Sequence, residues 1–228
     1  MPIDYNILIK KRVDLNSNIN IDEQILQIAI YDEFKAYETY SKIIETFGNI
    51  NPFINIKESE AVHYSMLIKL AEKYSVEVPI NDWKDKIEIP NNLIECYELG
   101  VAAEIENIAM YNNLLINSTK SDITDTLFRL QAASFNNHLP AFRSCVINYY
   151  NSFHSSSNSS EDIMQKMQEY QEIVNNLMSG NIDENTISNL SSKLFSNISF
   201  QFLGGAVSGA AIVALLNQFL ENQNSNKE

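Results

Sequence analysis

Between residues 22 and 152 apolar residues recur at steps of three and four in four separate stretches, and the breaks between them leave few topologies open. The first stretch, about Asp22 to Phe47, carries Leu26, Ile30, Tyr37, Tyr40, Ile44 and Phe47; the second, about Phe53 to Tyr74, carries Ile56, Leu67, Leu70 and Tyr74. Gly48 and Pro52 mark a short turn between them. The third, about Leu93 to Ile116, carries Tyr97, Val101, Ile108, Tyr111 and Leu115, and the fourth, about Ile123 to Tyr150, carries Leu127, Phe142, Cys145 and Tyr149. The polar break NSTKSD separates these two, with Ser121 and Asp122 as N-cap candidates, and Pro140 predicts a kink in the last helix. Short breaks make each pair an antiparallel hairpin. The pairs are joined by SVEVPINDWKDKIEIPNN, eighteen residues with two prolines and no helical period. Extended, such a segment reaches roughly 60 Å, whereas a helix of this length spans roughly 33 Å, so it can cross the whole bundle. The expected fold class is all-α: a four-helix bundle over residues 22–152 with one long crossover.

Composition narrows the function. With 228 residues, 45% of them apolar, the chain can bury one sizeable core. A net charge of -13 argues against binding nucleic acid, which needs clustered Lys and Arg, and weakly suits attracting cations. The two cysteines, Cys96 and Cys145, suggest neither a disulfide framework nor a structural zinc site. Residues 1–21 read as a lead segment whose MPIDYNILIKKRVD lacks the apolar core of a signal peptide, so the cytoplasm is the expected compartment. Beyond the bundle, 153–160 contains SSSNSS and reads as a linker; 161–228 reads as a helical segment. Its FLGGAVSGAAIVALL, with Gly205 and Gly209 in a G-x-x-x-G step, falls short of the roughly 20 residues of a membrane span. Packing on another helix or subunit is the expectation for 198–220, with membrane association the alternative.

Chemistry enters where the apolar stripes are interrupted. Glu33 sits between Ile30 and Tyr37, Glu60 and His63 fill the gap from Ile56 to Leu67, Glu104 lies between Val101 and Ile108, and His138 lies four before Phe142. Each helix thereby aims a metal-capable side chain at the core. Residues three apart share a helix face, so Glu60 and His63 can serve one ion or adjacent ions. Burying three carboxylates without compensation costs several kcal/mol each, and few inward Lys or Arg are available, so a pair of metal ions is the economical answer. Carboxylates with a few imidazoles suit iron or manganese rather than zinc. An internal repeat supports one layer: Glu33-x6-Tyr40 matches Glu104-x6-Tyr111, each followed by a helix with an inward histidine. Tyr37, Tyr40 and Tyr111 are the remaining inward polar groups, either core aromatics with satisfied hydroxyls or supports of the site that bond carboxylates from other helices. Tyr40 stands two turns, roughly 10 Å, from Glu33 and so must serve another ligand.

The segments YDEFKAYETY, SEAVH, AAEIENIAMY and NNHLPAF together resemble the ferritin-like superfamily, including the rubrerythrins, and look closest to an uncharacterised prokaryotic branch of it. The resemblance covers about residues 22–150. It implies a di-iron or Mn/Fe carboxylate centre with Glu33 and His63 on one metal, Glu104 and His138 on the other, and Glu60 bridging. Members with two E-x-x-H motifs carry a second bridging glutamate three before the last histidine, where this chain has Phe135. Gln131 or Ser134 could there supply a weaker oxygen ligand or hold a water. The four-cysteine module of rubrerythrins is absent.

The function implied is oxidation of Fe(II), or reduction of O2 or peroxide, by a carboxylate/histidine di-metal site. The alternative is a bundle that keeps most ligands without catalysis and uses its C-terminal helices to contact a protein or a membrane. Ferritin-like bundles often assemble, so a homo-oligomer is a further expectation.

Overall fold

A computed structural model describes residues 3–154. The proposed linker and the C-terminal segment with its G-x-x-x-G step lie outside them. The chain divides into two units, residues 1–146 and 147–228, and of the second only the helical residues 147–154 are described. Among the described residues the structure is entirely helical, with no strand: α1 (Tyr5–Lys10), α2 (Ile21–Phe47), α3 (Phe53–Lys73), α4 (Leu93–Asn117), α5 (Ser121–Ala133), a single π-helical turn (Ser134–His138) and α6 (Leu139–His154). No helix among them is long and apolar enough to cross a membrane.

Local chemistry sets the helix ends. Asn20 and Asn92 cap α2 and α4 by accepting the backbone N–H groups of Asp22 and Glu95. α2 stops at Gly48, whose φ of 90° is a conformation that glycine adopts without steric cost. At α5 the expected caps are replaced: Lys120 is the N-cap, and the Asp122 carboxylate instead takes Lys73 at 2.6 Å and the Tyr74 hydroxyl at 2.8 Å.

The eighteen-residue connection travels in the same direction as α2. Gln27 donates to the Glu77 carbonyl at 3.1 Å, Tyr31 to Asp82 at 2.8 Å, and Lys42 to the Ile87 carbonyl. Later residues of the connection therefore meet later residues of α2, and α4 begins beside the α2–α3 turn, where the Tyr97 hydroxyl reaches the Asn51 carbonyl at 3.5 Å. At the other end Asp22 accepts the Thr119 backbone N–H at 3.0 Å. Two antiparallel hairpins joined by a crossover the length of the bundle result.

Two local expectations change. From Gln24 to Phe34 every residue of α2 is buried, not a single stripe. The outward side is covered by α1, whose Ile7 and Leu8 join the core, and by Trp83 of the connection, whose ring lies 4.8 Å from that of Tyr31. A helix covered on all sides has no single face. The lead segment is thus part of the fold. The last bundle helix is broken just before Pro140, where the Leu139 N–H bonds the Ser134 carbonyl five residues back. Proline cannot donate to the carbonyl four before it and its ring crowds that group; the wider π turn immediately upstream is where the helix register changes.

Candidate metal centre

Glu33 on α2, Glu60 and His63 on α3, Glu104 on α4 and His138 at the end of the π turn are all buried. They meet in one layer. The Nδ1 atom of His63 lies 2.8 Å from Glu60 Oε2 and 3.3 Å from Glu33 Oε2; that of His138 lies 3.3 Å from Glu60 Oε1 and 3.6 Å from Glu104 Oε2. Glu60 thus gives one oxygen to each half. Two groups that could hold a metal ion follow, Glu33–Glu60–His63 and Glu60–Glu104–His138, each with its ligand atoms within 4.8 Å of one another.

Two tyrosines close the far sides. Tyr40 of α2 donates to Glu104 Oε1 at 2.9 Å, and Tyr111 of α4 donates to Glu33 Oε1. The repeated Glu-x6-Tyr spacing therefore becomes a reciprocal exchange, each helix supplying the hydroxyl for the other's carboxylate. Each bond occupies one oxygen and leaves the other, Oε2, directed at a histidine.

Electrostatics in this layer is severe. Burial, followed by the charge of Glu60, pushes the Glu33 carboxyl up to about 8. Glu60 is also penalised by burial, but its close contacts with His138, His63 and Glu33 outweigh it and hold its carboxyl below the ordinary value. Burial would lower the two imidazoles, yet the neighbouring carboxylates override it: Glu33 and Glu60 raise His63 to about 10, and Glu104 and Glu60 raise His138 to about 9. Protons on the histidines partly offset the carboxylate charge. They do not satisfy every atom, because Glu104 Oε2 and His138 Nδ1 are buried with no hydrogen-bond partner. Ligand atoms roughly 2.1 Å from one ion lie up to roughly 4 Å apart, and the separation of these two falls inside that limit. The residues present fit a metal ion.

The remaining candidates lie elsewhere. Tyr37 is half-buried with its ring edge-on to Tyr64 at 5.6 Å and under the Lys57 ammonium, in an aromatic cluster beside the layer. Gln131 donates to Asn112 at 2.7 Å and to the Ile108 carbonyl at 3.3 Å, so its amide is held by α4. Ser134 is buried, but its hydroxyl donates to Asn107 at 2.8 Å. Counting three back from His138 to Phe135 assumes α-helical spacing; in the π turn Ser134, four back, is interior and Phe135 is only half-buried. No carboxylate stands on this element beside His138.

Two features escaped the sequence reading. Ser59, four before His63 on the same face of α3, places its hydroxyl 3.1 Å from Nε2 of both His63 and His138. A second polar layer lies beside the first: Lys11 pairs with Asp32 and, at 2.7 Å, with Glu106, while Asn107 joins Asp32 at 3.1 Å to Ser134. The i,i+4 spacing of Ser59 and His63 was legible; its second partner, on another helix, was not.

No protein-family model matches the chain, and no curated protein matches it. The solved structure of a hypothetical protein, MJ0754 from Methanococcus jannaschii DSM 2661, superposes with a TM-score of 0.52 at 20% identity, covering 60% of this chain and 86% of that one. At that identity the likeness is one of fold.

Proposed function

We propose that this chain is a ferritin-like bundle, related to the rubrerythrins, that binds a pair of iron ions (or manganese and iron) and oxidises Fe(II) or reduces O2 or peroxide. The observation that carries the reading is a pair of buried atoms without a hydrogen-bond partner, Glu104 Oε2 and His138 Nδ1, in a layer whose three carboxylates bond no lysine or arginine among the described residues. Glu33 and His63 would hold one ion, Glu104 and His138 the other, with Glu60 shared. A pair of iron ions supplies two electrons, the number that takes O2 to peroxide or peroxide to water.

The chain's own groups prepare the site. Tyr40 and Tyr111 fix one oxygen of each outer carboxylate and leave the other facing inward. Phe53 and Phe142 pack on Tyr40 with ring centroids 5.9 and 5.4 Å away, and Tyr97 stacks on Phe53 at 5.3 Å, so the bond from Tyr40 to Glu104 is backed by an apolar wall. Phe142 fits only because residue 100 is glycine: a Cβ there would stand 2.6 Å from its ring.

The test is direct. Purify the chain without added metal, measure iron and manganese by elemental analysis, add Fe(II) anaerobically and admit air. Two ions per chain and rapid oxidation are expected; no bound metal after reconstitution would sink the proposal. The absence of a carboxylate from the π turn that carries His138 favours a second reading in which the site holds metal without turnover. Two ions taken up with no oxidation in air would select it.

A further inference from the structure

We infer that Ser59 is a positioning residue whose single hydroxyl sets the orientation of both site histidines. The inference rests on the metal reading above. His63 and His138 come from different helices, yet their rings stack with centroids 5.6 Å apart and planes 22° from parallel, and both turn Nε2 toward the same oxygen at 3.1 Å. Their Nδ1 atoms consequently face the carboxylates.

The chemistry of the two rings requires such a partner. An imidazole that ligates through Nδ1 must carry its hydrogen on Nε2, and the group receiving that hydrogen fixes both the tautomer and the ring angle. A serine oxygen has two lone pairs and can accept from two donors. One hydroxyl therefore does for both ions what separate partners would otherwise do, and the two halves share a support as well as the Glu60 bridge. Partners of this kind, when removed, weaken metal binding roughly 10- to 100-fold.

Ser59→Ala separates this role from folding, because it removes one oxygen from a helix position where alanine is intrinsically favoured. The full chain is titrated with Co(II), following visible absorbance and bound metal, while circular dichroism melts of the metal-free protein report folding. Wild type should take up two Co(II). Ser59→Ala should still melt in one cooperative step, with Tm lowered by only a few degrees, yet bind both ions roughly 10- to 100-fold more weakly, with altered cobalt bands. Ser59→Thr, which retains a hydroxyl, should recover most of the affinity. Wild-type affinity in Ser59→Ala, weakening of one ion alone, or a threonine variant as weak as the alanine one would each overturn the shared role. A wild-type chain that takes up no Co(II) would instead overturn the metal reading itself, and this role with it.

Discussion

Two polar layers lie side by side in the bundle, and they solve the same problem differently. In one, Asp32 and Glu106 surround the ammonium of Lys11, with Asn107 and Ser134 completing the bonds. Burial would lower the Lys11 amine, but the charges of Asp32 and Glu106 hold it above its ordinary value, so its charge is fixed. In the other, the partners of Glu33, Glu60 and Glu104 among the described residues are two tyrosines, two histidines and one another, and two buried atoms lack hydrogen-bond partners. Carboxylates with a covalently attached cation make a structural layer; carboxylates whose only cations are exchangeable protons leave a place for a metal.

The contrast breaks most visibly at Glu60 and Lys11. Glu60→Ala removes the only carboxylate common to both candidate groups and should abolish uptake at both positions, measured as metal per chain; unchanged stoichiometry would show that the layer does not bind as a unit. Lys11→Met should leave stoichiometry intact but strand two carboxylates, costing about 3 kcal/mol of unfolding free energy in urea, the low end for a broken buried pair because Lys11 is partly accessible. If Lys11→Met instead lost metal and kept its stability, the two layers would have exchanged roles.

Proton dependence sharpens the same comparison. In the metal-free protein His63 and His138 are raised to about 10 and about 9 from an ordinary 6.5, so the folded state binds protons that the unfolded state releases. That stability is complete below about pH 6.5 and is lost as pH rises through 9 to 10. Thermal melts in chelator should therefore fall in Tm between about pH 7 and pH 10, whereas the loaded protein, whose ions replace those protons, should stay nearly flat. Metal uptake near neutral pH should release protons, seen as a buffer-dependent heat in calorimetry. Equal pH slopes with and without metal would count against the exchange.

That Glu33, Glu60, His63, Glu104 and His138 share one buried layer was legible in sequence because they interrupt apolar stripes at helical spacing. The crossover was legible from its length alone. Less visible was whatever depends on what covers a helix from outside: the full burial of α2 between Gln24 and Phe34 follows from α1 and Trp83, which no periodicity announces. The π turn was missed for a related reason. Pro140 signals a disturbance, but whether the helix bends or gains a residue depends on packing, and that choice turned Ser134 rather than Phe135 inward. Tyr37 illustrates the limit of a stripe, which places a side chain on a face without saying which neighbour it meets; here that neighbour was Tyr64.

The smallest effects belong to the two tyrosines, and they test whether the halves of the site are equivalent. Tyr40 and Tyr111 make the same bond to opposite carboxylates, each fully buried, so Tyr40→Phe and Tyr111→Phe should each cost about 1 kcal/mol of metal-free stability, the usual net value of a protein hydrogen bond. Since Tyr40 touches Glu104 and Tyr111 touches Glu33, each variant should weaken one ion by about tenfold and spare the other, unlike loss of Ser59, which reaches both. The two substitutions share no direct partner, so their stability costs should add within about 0.5 kcal/mol. A larger cost for Tyr111→Phe would mean that the Glu33 half, whose carboxyl is raised to about 8, leans harder on its hydroxyl than the half containing His138. Equal costs would mean that the reciprocal exchange between α2 and α4, and not the uneven supply of ligands from α3 and the π turn, governs how the outer carboxylates are held.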